Sequence, residues 1–219
     1  MTENGENTNK KKLTVSFLIP TRGRLQMLID AIRSIKENAS PEVQVEILVR
    51  IDEDDHETLA GRDRIQGEII VGPRWCGYES VTMFINDMAA KSRGDWIVPW
   101  NDDAFMMTDQ WDKLLSPVDD VKILWFRASY EWAFPVVNRK LYELWGCVIP
   151  QTAAADAVLH EIWRVSGRSC DKVEIYVNHL SDGKACKKLA INPRNKVTPP
   201  QNSSSKSAAI LSELLRNVP

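Results

Sequence analysis

The residues Trp96-Ile97-Val98-Pro99-Trp100-Asn101-Asp102-Asp103-Ala104 form the stretch around which the rest of the chain is organised. Its first half is a short apolar run, which is typical of a buried strand. Its second half places an amide and two adjacent carboxylates directly after that strand, where open α/β sheets collect their ligands. Carboxylates near a core need compensation, and a divalent cation that prefers oxygen ligands would supply it. Asn and Asp are also common in simple turns, so this stretch alone leaves a polar strand-to-loop turn open.

The overall composition indicates one folded domain, with or without appendages. The chain has 219 residues, 43% of them hydrophobic, and a formal net charge of −2. This charge gives no case for nucleic-acid binding, and no apolar run is long enough to form a transmembrane segment. The N-terminus is polar and lacks the apolar centre of a signal peptide, so we expect a cytoplasmic protein. The four cysteines have no zinc-type spacing and are expected to be reduced thiols.

The first fifty residues predict the start of a parallel sheet. Residues 13–19 form an apolar, β-branched run that indicates a buried strand ending at Pro20. Residues 25–35 carry apolar side chains at helical spacing, and residues 43–51 predict a second buried strand. This β-loop-α-β order is the beginning of a parallel sheet with a crossover helix. Acidic residues then follow the second strand, where the alternatives are a solvated acidic loop and a carboxylate that binds a base or ribose.

The rest of the chain alternates strands and helices in the same way. Strands are predicted over residues 68–71, 121–128, 134–137 and 172–180, and a short helix over residues 111–115. Ser80 is a plausible N-cap of one helix, Asn138 of the helix at residues 139–145, and Gly146 fits the end of the latter. A last long helix is expected over residues 152–165. The predicted fold class is therefore α/β, a single Rossmann-like domain with a mostly parallel central sheet flanked by helices.

Both ends of the chain differ in composition from this domain. Residues 1–12 are polar and end in three lysines, which predicts a disordered arm. The domain is assigned to residues 13–195. Residues 196–219 begin with a Pro-, Ser- and Asn-rich linker and end in a short amphipathic helix around residues 208–215. One alternative for that helix is a homo-oligomer interface formed by its apolar face.

Four stretches, taken in order, resemble the GT-A glycosyltransferases of the family-2 type. They are VSFLIPTRGR at residues 15–24, VRIDEDDHET at 49–58, GYESVTMFINDMAAKSRGDWIVPWNDD at 77–103, and FPVVNRKLYELWGCV with AAADAVLHEI within 134–162. The resemblance covers about residues 13–180, most of the chain. It implies a GT-A domain that uses a nucleotide sugar. At the family's DXD-type metal motif this chain reads Asn101-Asp102-Asp103, so the first acid is an amide.

The resemblance also implies roles for individual residues. Asp103 and His179 are the expected metal ligands, for manganese or magnesium, although a lone histidine at a strand end also fits a surface or core position. Asp156 is the expected catalytic base, and the alternative is an Asp that merely favours a helix start. If Asp156 has no such role, Asp171 and Glu161 are the next candidates. The expected nucleotide-binding residues are Pro20, Thr21, Arg22, Arg24, Asp52, Asp54, Tyr78, Asn86 and Asp102.

The expected reaction is transfer of a sugar from a nucleotide-diphosphate donor, with a UDP-sugar favoured, to a hydroxyl of a glycan or other acceptor. Metal assistance and inversion at the anomeric carbon are expected, because a single base opposite the leaving group implies direct displacement. One alternative is a sugar nucleotidyltransferase, although the loop after Pro20 has a single glycine where such enzymes carry a Gly-rich phosphate loop. The other is an inactive nucleotide-sugar or glycan-binding module of the same fold.

Overall fold

The structure, a computed structural model, describes residues 12–75, 77–129, 132–152, 154–180, 209–211, 213 and 215–216. The predicted arm, apart from Lys12, and the predicted linker at residues 196–208 lie outside these residues. Residues 181–195 do as well, so the predicted carboxyl boundary of the domain at residue 195 stays a prediction.

Eight strands form one curled sheet. Their order across the sheet is β3-β2-β1-β4-β7-β6-β8-β5. The strands are β1 Thr14–Thr21, β2 Gln44–Asp52, β3 Glu68–Gly72, β4 Trp96–Pro99, β5 Ala104–Met106, β6 Ile123–Arg127, β7 Pro135–Asn138 and β8 Asp171–His179.

The first half of the sheet is parallel, as predicted. The pairs β1–β2, β1–β4 and β2–β3 all run parallel, and β1 lies at the centre. Its side chains alternate between two apolar layers, with Phe17 on one face and Leu18 on the other, both fully buried. Burial on both faces explains why the first two strands are nearly continuous apolar runs rather than alternating ones.

Pro20 does not end β1, contrary to the prediction. The strand continues to Thr21, and its last residues pair with β2, where Pro20 lies opposite Arg50. Among the described strands, β1 pairs with β4 only as far as Leu18. A residue without an N–H is tolerated where one side of a strand has no partner. The extension matters because it carries Thr21 to the edge of the sheet.

The second half of the sheet contains two reversed strands, β7 and β5. β7 runs antiparallel to both β4 and β6, whereas β6 and β8 run parallel to each other. Consequently β1, β4, β6 and β8 all point the same way, and their carboxyl ends share one edge. The short strand β5 then pairs antiparallel with the end of β8, placing Ala104 opposite His179.

Helices cover both faces of the sheet. α1 packs on the face that contains Phe17, while α3, α4 and α5 contribute to the layer on the opposite face. The helices are α1 Leu25–Glu37, α2 His56–Ala60, α3 Tyr78–Ala89, α4 Arg139–Trp145 and α5 Ala155–Val165. The short helix predicted at residues 111–115 is a 3₁₀ helix at Trp111–Leu114.

The helix ends test the predicted caps. Asn138 caps α4 by accepting from the N–H of Leu141, and Gly146 ends it in the left-handed conformation, as predicted. Ser80 is not an N-cap, because α3 begins two residues earlier, after Gly77. The φ of Gly77 is +98°, a conformation that favours glycine and sets the start of the helix.

The described part of the C-terminal segment is helical and contacts this chain's own core. Leu211 and Leu215 are buried in the layer that contains Leu18 and α5. At these two residues, the apolar face that we considered as a homo-oligomer interface packs against this chain's own core. Within the ranges that the structure describes, no helix is both long and apolar enough for a membrane span.

We expect Asn138→Ala to lower the free energy of unfolding by about 2–4 kcal/mol, because three hydrogen bonds are lost in a buried site. Asn138 Oδ1 accepts from the N–H groups of Lys122 at 3.0 Å and Leu141 at 3.2 Å, and its Nδ2 donates to the carbonyl of Asp120 at 2.6 Å. Urea unfolding measures the change. The control is Asn178→Ala on the exposed side of β8. Equal stability of the two variants would contradict this role of Asn138.

Candidate functional site

The carboxyl ends of four strands bring the predicted polar residues to one edge of the sheet. Thr21 ends β1, Asp52 ends β2, residues 101–103 follow β4, and His179 ends β8. Because these strands run in the same direction, side chains that are far apart in sequence meet here. Ligand sites in open α/β sheets occur at this edge.

Asp102 is the most deeply buried acid of the site, with 1% of its surface exposed. One carboxylate oxygen accepts a hydrogen bond of 2.7 Å from the Thr21 hydroxyl, and the other forms a 2.5 Å ion pair with the Arg24 guanidinium. Burial raises the pKa of Asp102 to about 6, and the charge of Arg24 opposes that rise. The sequence predicted a ribose or metal-water contact for Asp102, and this contact stays a prediction.

Asp103 is also buried, but contacts with His179 and Arg24 stabilise its ionised form. Its Oδ1 lies 3.1 Å from His179 Nε2, and its Oδ2 lies 3.3 Å from Arg24 Nη1. Burial alone would raise the pKa of Asp103, but His179 and Arg24 outweigh it and hold the pKa below its usual value. The backbone carbonyl of Asp103 accepts from the N–H of Leu180 at 2.9 Å, which fixes the loop against the end of β8.

His179 lies between an amide and a carboxylate. Its Nε2 is 3.0 Å from Asn101 Nδ2 as well as 3.1 Å from Asp103 Oδ1. A protonated Nε2 donates to the carboxylate, whereas a bare Nε2 accepts from the amide, so both neutral tautomers have a partner. The bare form has the lone pair that a metal ion needs. Asn101, the departure from the acidic motif, thus supports the histidine.

Phe134 is a site residue that sequence reasoning missed. Its ring packs edge-on against the His179 ring at a centroid distance of 5.3 Å, and on Trp100 at 4.9 Å. Its φ is +58°, an unusual value for a non-glycine residue. No sequence pattern distinguishes it, because its role depends on a contact between β8 and the segment before β7.

A divalent cation at this site would need a phosphate ligand in addition to protein ligands. Across the ranges that the structure describes, no group of three or more His, Cys, Asp or Glu side chains could hold a metal ion. Asp103 and His179 would supply two ligands. Magnesium typically binds one or two carboxylates and completes its shell with water and substrate phosphates, and carboxylates and water also suit manganese. A carboxylate and an imidazole at the sheet edge fit such a shared site.

The acids after β2 form a separate charged group with Arg22. Arg22 contacts Asp52 at 3.1 Å and Asp54 at 3.1 Å, and Arg74 lies 3.5 Å from Asp54. Burial raises the pKa of Asp52, and Arg22 opposes that effect. The hydrogen bond from Arg22 lowers the pKa of the exposed Asp54. Of the two acids, Asp52 is the buried one and therefore the better partner for a base.

The loop from Pro20 to Arg24 joins these two acidic groups. Arg22 faces the acids after β2, and Arg24 faces the acids after β4. The backbone N–H of Gly23 donates to Asp55 at 2.8 Å, and the φ of Gly23 is +62°. This anchored turn holds the two arginines in opposite directions from one short segment.

Asn86 has a structural function in addition to its predicted one. Its Oδ1 accepts from the N–H of Val148 at 2.8 Å, and its Nδ2 donates to the carbonyl of Ile149 at 2.9 Å. The side chain thus ties α3 to the segment after α4. Its nucleotide contact stays a prediction, and so does that of Tyr78, whose backbone begins α3.

Asp156 lies in the first turn of α5. The direction of that helix decides toward which edge of the sheet this turn lies. The end of α5 lies close to the beginning of β8, where Trp163 Nε1 donates to the carbonyl of Ser169 at 2.9 Å. A helix of 11 residues is about 16 Å long. Because a helix that leads into a parallel strand usually runs back along it, we infer that the first turn of α5 lies toward the carboxyl edge of the sheet. Asp156 is half-buried, and its Oδ1 accepts from the N–H of Ala157 at 2.9 Å.

The two alternative acids are held elsewhere. Asp171 begins β8, at the opposite edge of the sheet, and forms an ion pair with Lys122. Glu161 is on the exposed surface of α5 and pairs with Arg164 at 2.7 Å. Of the three predicted candidates, Asp156 is the one whose helix turn lies toward the site. Its role as a base stays a prediction.

Comparison with known proteins finds similarity in structure rather than in sequence. No family model and no curated protein matches the chain. The mannosyltransferase PcManGT from Pyrobaculum calidifontis, solved with GDP-Man and Mn²⁺, has a TM-score of 0.60 at 14% identity. That match covers 93% of this chain and 69% of the mannosyltransferase.

Two further solved structures show the same likeness. Glucosyl-3-phosphoglycerate synthase from Mycobacterium tuberculosis, solved with Mn²⁺, UDP and phosphoglyceric acid, has a TM-score of 0.59 at 11% identity, over 94% of this chain and 80% of its own. S. aureus TarS 1-349 has a TM-score of 0.54 at 11% identity, over 93% and 71% of the two chains. At these identities the likeness establishes the fold. The chain has the GT-A fold, a single α/β domain of Rossmann-like type.

We expect the free energy of unfolding of Asp102→Asn to rise relative to that of the wild type as pH rises from 4 to 7 in EDTA. Because the folded-state pKa of Asp102 is raised to about 6, the folded chain binds this proton more tightly than the unfolded chain. Wild-type stability therefore falls through this window, by about 2 kcal/mol relative to the variant. Urea unfolding across the pH range measures it, with Asp30→Asn on α1 as the control. A difference that is constant, or that changes in the opposite sense, would contradict the raised pKa.

Proposed function

We propose that this protein is a glycosyltransferase that moves a sugar from a nucleotide-diphosphate donor to an acceptor hydroxyl, with metal assistance and inversion at the anomeric carbon. The observation that carries the proposal is the contact of 3.1 Å between Asp103 and His179 at the carboxyl edge of a GT-A sheet. Arg24 contacts Asp103, and the buried Asp52 ends β2 at the same edge of the sheet. Together they provide ligands for a cation, a phosphate and a nucleoside.

The nucleoside is assigned to the end of β2. Asp52 is buried and accepts hydrogen bonds, so it can accept an N–H of a nucleobase. A pocket that hydrogen-bonds a base discriminates strongly against bases that lack that donor. The similar folds were solved with GDP-Man and with UDP. We propose a UDP-sugar as the donor, with Thr21 and Pro20 in the loop beside it.

The diphosphate is assigned to the centre of the edge. When bound, the divalent cation, manganese or magnesium, supplies positive charge against the leaving diphosphate. Asp103 and His179 would hold it. Arg22 and Arg24 extend from the loop after β1, and guanidinium groups match phosphate oxygens in a bidentate geometry. These residues stabilise negative charge where it develops.

The acceptor hydroxyl is activated by Asp156. The acceptor oxygen attacks the anomeric carbon, its proton passes to the Asp156 carboxylate, and the bond from that carbon to the phosphate oxygen breaks. The leaving group departs as the nucleoside diphosphate. With a single base opposite the leaving group, the displacement is direct and inverts the anomeric carbon.

A second candidate function is an inactive binding module of the same fold, and the amide at Asn101 favours it. Measurement of donor turnover with and without EDTA separates the two. A thermal-shift screen of nucleotide sugars with manganese first selects the donor, and hydrolysis of that donor is then followed. Metal-dependent turnover supports the enzyme. Donor binding without turnover, in the presence of a range of hydroxyl acceptors, supports the module.

We expect Asp103→Ala to abolish the manganese-dependent part of donor binding, since it removes one of two protein ligands. Calorimetry with UDP-sugar, with and without manganese, measures it. We expect the affinity in EDTA to stay close to that of the wild type. Asp30→Ala, at a half-exposed acid on α1 whose side chain is 39% exposed, is the charge-matched control. Unchanged manganese dependence in a folded Asp103→Ala variant would refute the assignment of the metal.

We expect Asp156→Asn to lower transfer by about two to four powers of ten, the usual contribution of a positioned base. The loss appears in kcat and kcat/KM alike, because proton transfer occurs in the transition state, while donor affinity barely changes. Glu161→Gln on the exposed side of the same helix is the control. If Asp156 only supports the helix start, Asn substitutes well and the rate is retained. Near-normal transfer would remove Asp156 from the mechanism.

A further inference from the structure

The guanidinium of Arg24 bridges the two carboxylates that follow β4. Its Nη2 lies 2.5 Å from Asp102 Oδ1, and its Nη1 lies 3.3 Å from Asp103 Oδ2. We propose that Arg24 is a built-in counter-ion of this acidic pair, and that it makes cation binding depend on the diphosphate. This inference rests on the proposed function and assigns Arg24 a second task there.

The acidic pair needs a positive charge in the absence of any ligand. Asp102 is 1% exposed and Asp103 is 7% exposed, and the two carboxylates are adjacent in sequence. Two buried negative charges side by side are costly unless a cation compensates them. Thr21 and His179 each contact one of these acids, but Arg24 contacts both. Arg24 therefore supplies the positive charge that compensates both acids.

A divalent cation at Asp103 competes with this arrangement. The carboxylate of Asp103 has Oδ1 toward His179 and Oδ2 toward Arg24. A cation held by Asp103 and His179 lies on the same carboxylate as the guanidinium, and like charges at such a distance repel. A metal ion without a nucleotide must either tolerate this repulsion or displace Arg24 from a buried ion pair. Both outcomes weaken the binding of metal alone.

The diphosphate removes this conflict. The Arg24 side chain is 29% exposed and immediately precedes α1, so its guanidinium has access to the loop side of the site. A phosphate group offers it a bidentate partner in exchange for the acids. The cation then takes the carboxylate, and Arg24 takes the phosphate. The diphosphate draws Arg24 away from Asp103, and this favours binding of the cation there. The two ligands therefore bind with positive coupling.

Arg33 provides a control outside the site. It lies on the exposed side of α1 and forms an ion pair of 3.0 Å with Asp30. Removal of its charge changes the net charge as much as removal of Arg24 does, and it leaves the contacts of the acidic pair unchanged.

The test is the affinity of manganese for the full chain, alone and with saturating UDP, read from the electron paramagnetic resonance signal of free Mn²⁺. For the wild type we expect UDP to tighten manganese binding at least tenfold, within the usual range for coupled sites. Arg24→Gln should bind manganese alone about tenfold more tightly and lose most of the coupling. Arg24→Lys keeps the charge and should retain weak binding of manganese alone. Arg33→Gln should retain the wild-type coupling.

The outcomes separate this inference from the proposed function. If Arg24→Gln and the wild type bind manganese alone equally, or if Arg24→Lys behaves as Arg24→Gln does, the counter-ion role is wrong, while metal-dependent transfer can still hold. If Arg24→Gln does not fold, Arg24→Lys decides: manganese binding like that of the wild type supports the charge-based role, and a change contradicts it. If the wild type binds no manganese even with UDP, both the inference and the metal assignment are overturned.

Discussion

Two adjacent carboxylates, Asp102 and Asp103, are buried at the carboxyl edge of the sheet, and the site depends on how their charge is compensated. Three segments provide that compensation. Thr21 donates a hydrogen bond from the end of β1, Arg24 contributes a charge from the following loop, and His179 contributes a ring nitrogen from the end of β8. Each contact joins residues that are about 80 positions apart in the sequence, so the acids also hold the edge together.

Aromatic packing and an anchored loop explain why these groups stay in place. Trp100 and Phe134 pack against each other, and Phe134 also backs the ring of His179. On the other side, Asp55 fixes the backbone of Gly23, which directs Arg22 and Arg24 toward separate acidic groups. The site is therefore built on buried strands and aromatic contacts, which suits a function that requires charged groups at fixed positions.

Much of the fold follows from local sequence pattern. The apolar runs of the first two strands, the helical spacing after Pro20, and the cap at Asn138 all predict the observed elements, because burial on two faces and capping leave clear local signals. The errors arise where the environment overrides a local rule. Pro20 remains in β1 because one side of the strand has no partner there, and Ser80 is inside α3 because Gly77 starts the helix earlier. Strand direction in the second half of the sheet has no local signal at all.

For the site, the sequence alone determined which ionisable residues lie at or just after the ends of strands, including Asp52, Asp102, Asp103 and His179. Their place after apolar runs is a property of neighbouring residues, and it can be identified without a structure. Only the tertiary structure decided which of them meet. The bridge from Arg24 to both acids and the packing around His179 depend on strand order and on parallel direction, because contacts between residues so far apart in the chain arise only when the sheet is assembled.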